Sequence, residues 1–533
     1  MCSNSLNSLT NEIPNSMLHA LLSILEEDPQ RVALIYDNRK FTYLELAYQA
    51  LQLQKKLERL GVQKGDHVAV LSTPRPEGLI SLLAVWLIDA TWVGVNTRYK
   101  FSERQQLLNN CKAQTLLWVS NSDSDSTESE VSQHAAYGVK CVELKSDQIR
   151  EKTAHDADLV SDVLVSWRSI LSICSFKNAA VIIYTSGSTG LPKGALITHE
   201  GLTFRSLSMA LDRFNGERIN LILDLPINHI GALATGIGFV WETGWTLILS
   251  EKFDAAFTIQ TIEENQVNVI IGVPAMLSRL VEHKNFQNAD LSSLKYVCWG
   301  AGPLSERVLQ KILDCTNALI SQQYGMTESN GAIVYTPPTR NIATLLSTTG
   351  RPDPRLLVRI ADEYDTEVPT GIEGEVQVKQ PYPFAGYLND SLATARVLTS
   401  DGYLKTGDLA KLTPEGDLIF CGRSKEMFKS GGFNVYPREI EITLEEFPPI
   451  RAAAVLPQHD EVWGQIGVAF IEPNQNLVTK DIIDWCKKYL ADFKIPKRFI
   501  VLDALPLTAL GKVDRLKLAN SLASRKNDYQ NTR

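Results

Sequence analysis

The chain has 533 residues, more than one compact domain usually holds, and its 44% apolar and 21% charged content is that of an ordinary globular protein. A net charge of −8 with no long Lys/Arg run argues against nucleic-acid and membrane-surface partners, and eight scattered cysteines with neither a CxxC pair nor a zinc-spaced Cys/His cluster argue for a reducing compartment. The opening "MCSNSLNSLTNEIPNS" has no apolar signal core, and the apolar run Leu79 to Val95 is short for a bilayer and carries Asp89, so a soluble cytoplasmic protein is expected.

In chain order, "RVALIY" reads as a strand and "DNRK" as a turn. The segment "FTYLELAYQALQLQKKLERLG" then reads as a helix with a capping box, Thr42 and Glu45, that stops at Gly61. "HVAVLS" follows as a buried strand, and the alternation predicts an α/β architecture of parallel sheets covered by helices. "SNSDSDSTESE" (Ser120 to Glu130) is acidic and of low complexity, as a solvated loop is.

Next comes "YTSGSTGLPKG" (Tyr184 to Gly194), behind the apolar "AAVII". Two threonines, two serines, three glycines and one lysine in eleven residues suit phosphate, yet a Walker loop needs its lysine directly after the last glycine. Here Lys193 stands three residues past Gly190, behind Pro192, which breaks any helix that would cradle the phosphate. What remains is a hydroxyl-rich hairpin able to close over a triphosphate tail and later release pyrophosphate. After Thr344 short strands and turns ("RLLVRIAD", "GEVQVKQ", "GDLIFCGR") predict a small β-rich subdomain. From about Lys425 a separate α+β unit is expected, with helices in "PREIEITLEEF" and "TKDIIDWCKKYLADF" and a loose end, "SLASRKNDYQNTR".

The loop closely resembles the signature of adenylate-forming enzymes, the superfamily of acyl-CoA synthetases, peptide-synthetase adenylation domains and luciferases. Further segments resemble that family in order: "LPINHIGAL", "WGAGPLS", "QQYGMTES", "YLKTGDLA", "GRSKEMFKSGGFNVYPREIE" and "LTALGKVDR". The likeness spans roughly residues 30 to 520 and is strongest to the acyl- and aryl-CoA ligase branch. It implies a large N-terminal domain (1–424) binding ATP and acid, and a mobile C-terminal domain (425–533) that turns about a hinge at Lys425.

The resemblance also implies roles. Thr185, Ser186, Gly187, Ser188, Thr189, Gly190 and Lys193 would hold phosphates, Gly300, Ala301 and Gly302 the adenine, and Asp408 the ribose hydroxyls. Gln323, Tyr324, Gly325, Met326, Arg423 and Lys429 complete the nucleotide site; Thr327 would meet the α-phosphate and Glu328 the magnesium ion. His229 would lie by the acid and Lys512 would bridge carboxylate and α-phosphate. Gly431 and Gly432 would let pantetheine pass, and Lys252 aligns with a lysine that meets CoA phosphate. Plant aryl-CoA ligases carry a CoA-contacting lysine where this chain has Gly431, so that contact does not carry over.

Ile230, Gly231, Thr235, Trp299 and Gln323, with His229, would line the acyl pocket. Many relatives have glycine in place of Gln323 and a small residue in place of Trp299, so a compact acid is expected rather than a long fatty chain. The implied reaction is ATP-dependent acid–CoA ligation with magnesium, by a free-standing monomer or homodimer. The alternatives are an adenylating enzyme that loads a carrier protein, or an inactive nucleotide-binding homologue; Lys512, Glu328 and Asp408 are all present, against the latter.

Overall fold

The computed structural model describes residues 16–119, 131, 133–145, 157–185, 192–214, 217–475, 477–508 and 512–524. The acidic stretch 120–130 lies outside them.

Two mainly parallel sheets dominate. One has nine strands in the order Arg351–Pro352, Gly331–Tyr335, Leu319–Met326, Tyr296–Gly300, Val269–Gly272, Asn220–Leu223, Thr246–Leu249, Val32–Tyr36 and Arg39–Thr42. Its six inner strands, Leu319–Met326 through Val32–Tyr36, run parallel. The other has six strands, Lys140–Leu144, Thr115–Val119, His67–Leu71, Thr91–Val95, Ala179–Thr185 and Lys193–Thr198, all parallel neighbours except the last pair.

The sequence punctuation accounts for much of this. Thr42 caps the helix Tyr43–Arg59 by accepting from Glu45 N at 3.1 Å, and Glu45 returns a bond to Thr42 N at 2.7 Å. The helix gives way at Gly61, whose φ of +89° a glycine adopts without steric cost. The apolar run from Leu79 divides into most of a helix, Pro76–Leu87, buried on every side, and the strand Thr91–Val95. Between them Asp89 turns the chain and takes Lys64 Nζ at 2.7 Å and Ser175 N at 3.1 Å. Burial pushes its carboxyl up, but these donors hold it below its ordinary value. No helix among the described residues is long and apolar enough to cross a membrane.

A four-stranded antiparallel sheet follows (Leu357–Ala361, Gly374–Lys379, Leu404–Leu412, Leu418–Arg423), and its inward residues Ile360, Val376, Val378 and Leu418 join the core of the parallel sheets. The chain then changes sheet. Phe428–Ser430 and Phe433–Val435 belong to a five-stranded sheet with the long hairpin Ile450–Asp460/Gly464–Pro473 and the strand Arg498–Val501. This last unit has its own cores, built only from residues between Phe428 and Leu522. It carries the two expected helices, Pro437–Glu445 and Thr479–Tyr489, and one that was not expected, Arg515–Ser524. The segment expected to be loose therefore begins in a helix, because Leu518 and Leu522 pack against Val468 and Phe470.

Candidate active site

The site residues gather around the ends of the parallel strands, where open α/β sheets place ligands. The loop 186–191, with Ser186, Gly187, Ser188, Thr189 and Gly190, lies outside the described residues. Its two stems are described: Tyr184 pairs with Gly194 and Thr185 with Lys193. A side chain on Gly194 would press on Ile182 at 2.9 Å and on the Tyr184 ring at 3.3 Å. Tyr184 donates to Asn110 Oδ1 at 2.7 Å, which anchors the first stem. Lys193 Nζ sits 5.3 Å from the centre of the Tyr387 ring.

Tyr387 is a site neighbour that no motif in the sequence singles out. Its hydroxyl donates to Glu328 Oε1 at 2.7 Å, which orients a buried carboxylate. Burial, with Glu328 beside it, pushes the phenol far above its ordinary value, so it stays a donor. Thr327 and Glu328 form the short turn that ends the strand Leu319–Met326, and both are buried. No group of three or more ligating side chains that could hold a metal occurs among the described residues. A magnesium ion carried by phosphates and met by one carboxylate fits this arrangement, with Glu328 as the protein's ligand.

On the same strand, Tyr324 donates to Asp408 Oδ2 at 2.8 Å, while Arg423 Nε lies 3.1 Å from Oδ1. Burial raises the Asp408 carboxyl and Arg423 opposes the shift. Gly325 admits no side chain, since its Cβ would lie 2.1 Å from Gly331 O. Ala301 takes a left-handed conformation, φ +70°, as the chain leaves its strand between Gly300 and Gly302.

His229 begins a short helix whose first turns include a π-helical segment, Leu233–Ile237. Its Nδ1 accepts from Gly231 N at 3.1 Å. Burial lowers its pKa to about 4, and the Lys512 ammonium adds to the shift. The imidazole is therefore neutral near pH 7, and with Nδ1 accepting, Nε2 carries the proton and can donate to a bound acid. Thr235 is fully buried and gives its hydroxyl to Gly231 O, so it shapes the pocket wall through its methyl group and volume.

Lys512 enters this cluster from the last unit. Burial and then Arg423 lower its pKa, while Asp408 and Glu426 favour its charge. Thr508 N donates to Lys512 O at 2.7 Å and steadies the tail bend that brings it there. The charge of Lys512 adds to the lowering at His229, and Asp408 in turn favours the charge on Lys512.

Trp299 is placed differently from expectation. Successive residues of a strand face opposite sides, and Trp299 points with Gln322 away from the side occupied by Gln323. It is 1% exposed, packed in the second core with Leu304 and Leu345, and its Nε1 donates to Gly302 O at 3.0 Å. It supports the Gly300–Gly302 turn from behind and belongs to the core, not to the side that Gln323 occupies. Gln323 lies on the opposite side and accepts from Arg213 Nη1 at 2.9 Å, a partner that nothing in the sequence pattern indicates.

No hydrogen bond or ion pair among the described residues joins Lys429, Gly431, Gly432 or Lys252 to this cluster. Lys429 N donates to Gln465 Oε1 at 3.1 Å, and Gly431 and Gly432 form a left-handed turn, φ +56° and +86°, beside Trp463. Ser250 Oγ donates to Lys252 O at 2.9 Å. Lys425 lies in the link between the two last sheets, exposed.

With this geometry in place, the comparison with known proteins is direct. The AMP-binding enzyme pattern matches residues 23–388, and the AMP-binding enzyme C-terminal domain pattern matches residues 439–512. The chain belongs to the AMP-binding enzyme family. It is 32% identical to the indoleacetate–CoA ligase of Aromatoleum aromaticum over 95% of this chain and 98% of that protein. It is 28% identical to the o-succinylbenzoate CoA synthetase of Bacillus subtilis solved with its acyl-adenylate intermediate, with a TM-score of 0.80, covering 95% of this chain and 98% of that one. The same Bacillus enzyme solved with ATP and magnesium gives 27% identity and a TM-score of 0.79 over 94% of this chain and 99% of that one. As a member of the AMP-binding enzyme family, the chain is an ATP-dependent acid–CoA ligase.

Proposed function

We propose that the ligase works in two half-reactions served by one cleft, with Lys512 present for the first and withdrawn for the second. What supports this is that Lys512 sits in a tail bend of a unit with its own cores, whereas His229 and Asp408 belong to the large sheets and the sheet packed on them. In the first step a carboxylate oxygen attacks the α-phosphorus of ATP; the new P–O bond forms as the bond to pyrophosphate breaks. Two anions must meet, so cationic and N–H groups have to stand where charge develops. Lys512 bridges acid and phosphate, and His229 Nε2–H holds the acid. Thr327 and the Thr185–Lys193 loop would hold phosphates, Asp408 would hold the ribose, and Glu328 would hold a magnesium ion that supplies charge neutralisation when bound.

In the second step a thiol must reach the acyl carbon. Its sulfur bonds to the carbonyl carbon, AMP leaves with the bonding pair, and the thiol proton is lost. Turning about Lys425 removes Lys512 and brings up the Gly431–Gly432 turn, where the left-handed backbone has no side chain to block a pantetheine arm. In this reading the division falls at 424/425, CoA is the thiol, and the enzyme works in the cytoplasm. Gln323 occupies space that glycine leaves open, which favours compact acids.

Acid-dependent exchange of labelled pyrophosphate into ATP, measured alongside CoA-thioester formation, tests the reading. Exchange with thioester supports it; exchange without thioester points to a carrier-protein acceptor; no exchange with any acid overturns it.

A further inference from the structure

Arg213 closes the helix His199–Phe214 and is 1% exposed. Its Nη1 donates to Gln323 Oε1, its guanidinium lies 4.7 Å from the centre of the Tyr335 ring, and the Cys298 thiol is its other polar neighbour. Its Nε and Nη2 are buried with no hydrogen-bond partner among the described residues.

The carboxylates nearby are committed elsewhere. Asp212 binds Arg355 and the Tyr335 hydroxyl, and Asp353 binds Arg205 at 3.1 Å and Arg355 at 2.8 Å. Three guanidinium groups, Arg205, Arg213 and Arg355, therefore share two carboxylates, and the uncompensated charge rests on Arg213. A buried charge met by an amide, a thiol and a ring face but by no carboxylate is costly unless a counter-ion arrives.

Gln323 is the link to the site. It precedes Tyr324 on the strand that runs to Thr327 and Glu328, and its side chain covers Gly300, where a Cβ would lie 3.0 Å from Gln323 Cγ. Arg213 stands behind it, on the helix side. We propose that the acyl pocket accepts an acid with a second carboxylate, which Arg213 binds at the far end while the first carboxylate is adenylated. This rests on the ligase reading above and narrows its substrate class to compact diacids. An Arg whose Nε and Nη2 both lack a partner offers a fork that matches a carboxylate in geometry and charge.

The test uses acid-dependent pyrophosphate exchange with matched sets of the same length, aliphatic and aromatic: the diacid, its monoamide and the methyl-ended monoacid. The wild-type protein is expected to favour the diacid by at least ~10²-fold in kcat/KM, as sites built around a buried polar contact do. Gln323→Glu supplies Arg213 with an internal counter-ion at nearly unchanged volume. It should cut that preference by at least tenfold, and Arg213→Met should reverse it. A wild-type ratio near one, monoamides matching diacids, or an undiminished preference in Gln323→Glu would overturn the proposal while leaving the ligase reading intact. Absence of exchange with every acid would overturn both.

Discussion

The two halves of the site are held in opposite ways. On the side of the large sheets three polar groups are fixed by half-buried neighbours: Tyr324 on Asp408, Tyr387 on Glu328, Gly231 on His229. The last unit has separate cores, and exposed polar contacts among the described residues tie it to the rest: Tyr436 to Glu373, and Glu426 to Arg423. The difference teaches where preorganisation is needed. On the proposed reading, groups that bind nucleotide and acid would stay fixed, whereas Lys512, serving one step only, would ride on a piece that weak contacts can release.

The sharpest way to break this contrast is Lys512→Ala. Adenylate formation should fall by at least ~10²-fold, the usual effect of losing one positioned charge contact. Conversion of supplied acyl-adenylate and CoA to thioester should persist. Equal loss of both steps in a folded variant would mean that the tail unit has no step-specific role.

The second test concerns the rigidity of the large half. Asp224 is buried with neither oxygen bonded, and burial raises its pKa to about 7. The folded chain then keeps a proton that the unfolded chain loses near pH 4. Its stabilising effect is complete below pH 4 and disappears as pH rises to 7. Asp224→Asn should therefore raise Tm more at pH 8 than at pH 5. His229 works with the opposite sign: with a folded pKa of about 4 it contributes stability present above pH 6.5 and lost as pH falls toward 4.

A smaller effect is expected from Tyr387→Phe, which removes one hydrogen bond to Glu328. A loss of ~1 kcal/mol, about fivefold, should appear mainly as a higher magnesium requirement for pyrophosphate exchange. The smallest comes from Tyr436→Phe, which breaks one exposed tie of the tail unit. The balance of the two half-reactions should move less than threefold, in keeping with ~0.5 kcal/mol for an exposed polar contact.

These contrasts also explain what could be read in advance. The strand and helix alternation from Val32 to Val95 was legible because strand propensity, a capping box and a terminal glycine agree locally. The order of the motifs identified the family for the same reason: each is a short continuous segment. Trp299 was assigned to the wrong side because which face of a strand is lined by helices depends on distant packing. Tyr387 and Arg213 carried no local signal; folding brings them 59 and 110 residues across the chain to Glu328 and Gln323. The helix Arg515–Ser524 escaped notice because its apolar residues mark no single face: Leu518 and Leu522 are buried, whereas Leu516 is exposed.

Glu426 stands one residue past Lys425 and reaches Arg423 at 3.9 Å and Arg515 at 3.5 Å, with all three partly in contact with solvent. Such a clasp is a throttle set by ionic strength. Added salt screens it and shortens the dwell in the arrangement captured here, so adenylation should slow relative to thioester formation before either substrate loses its grip.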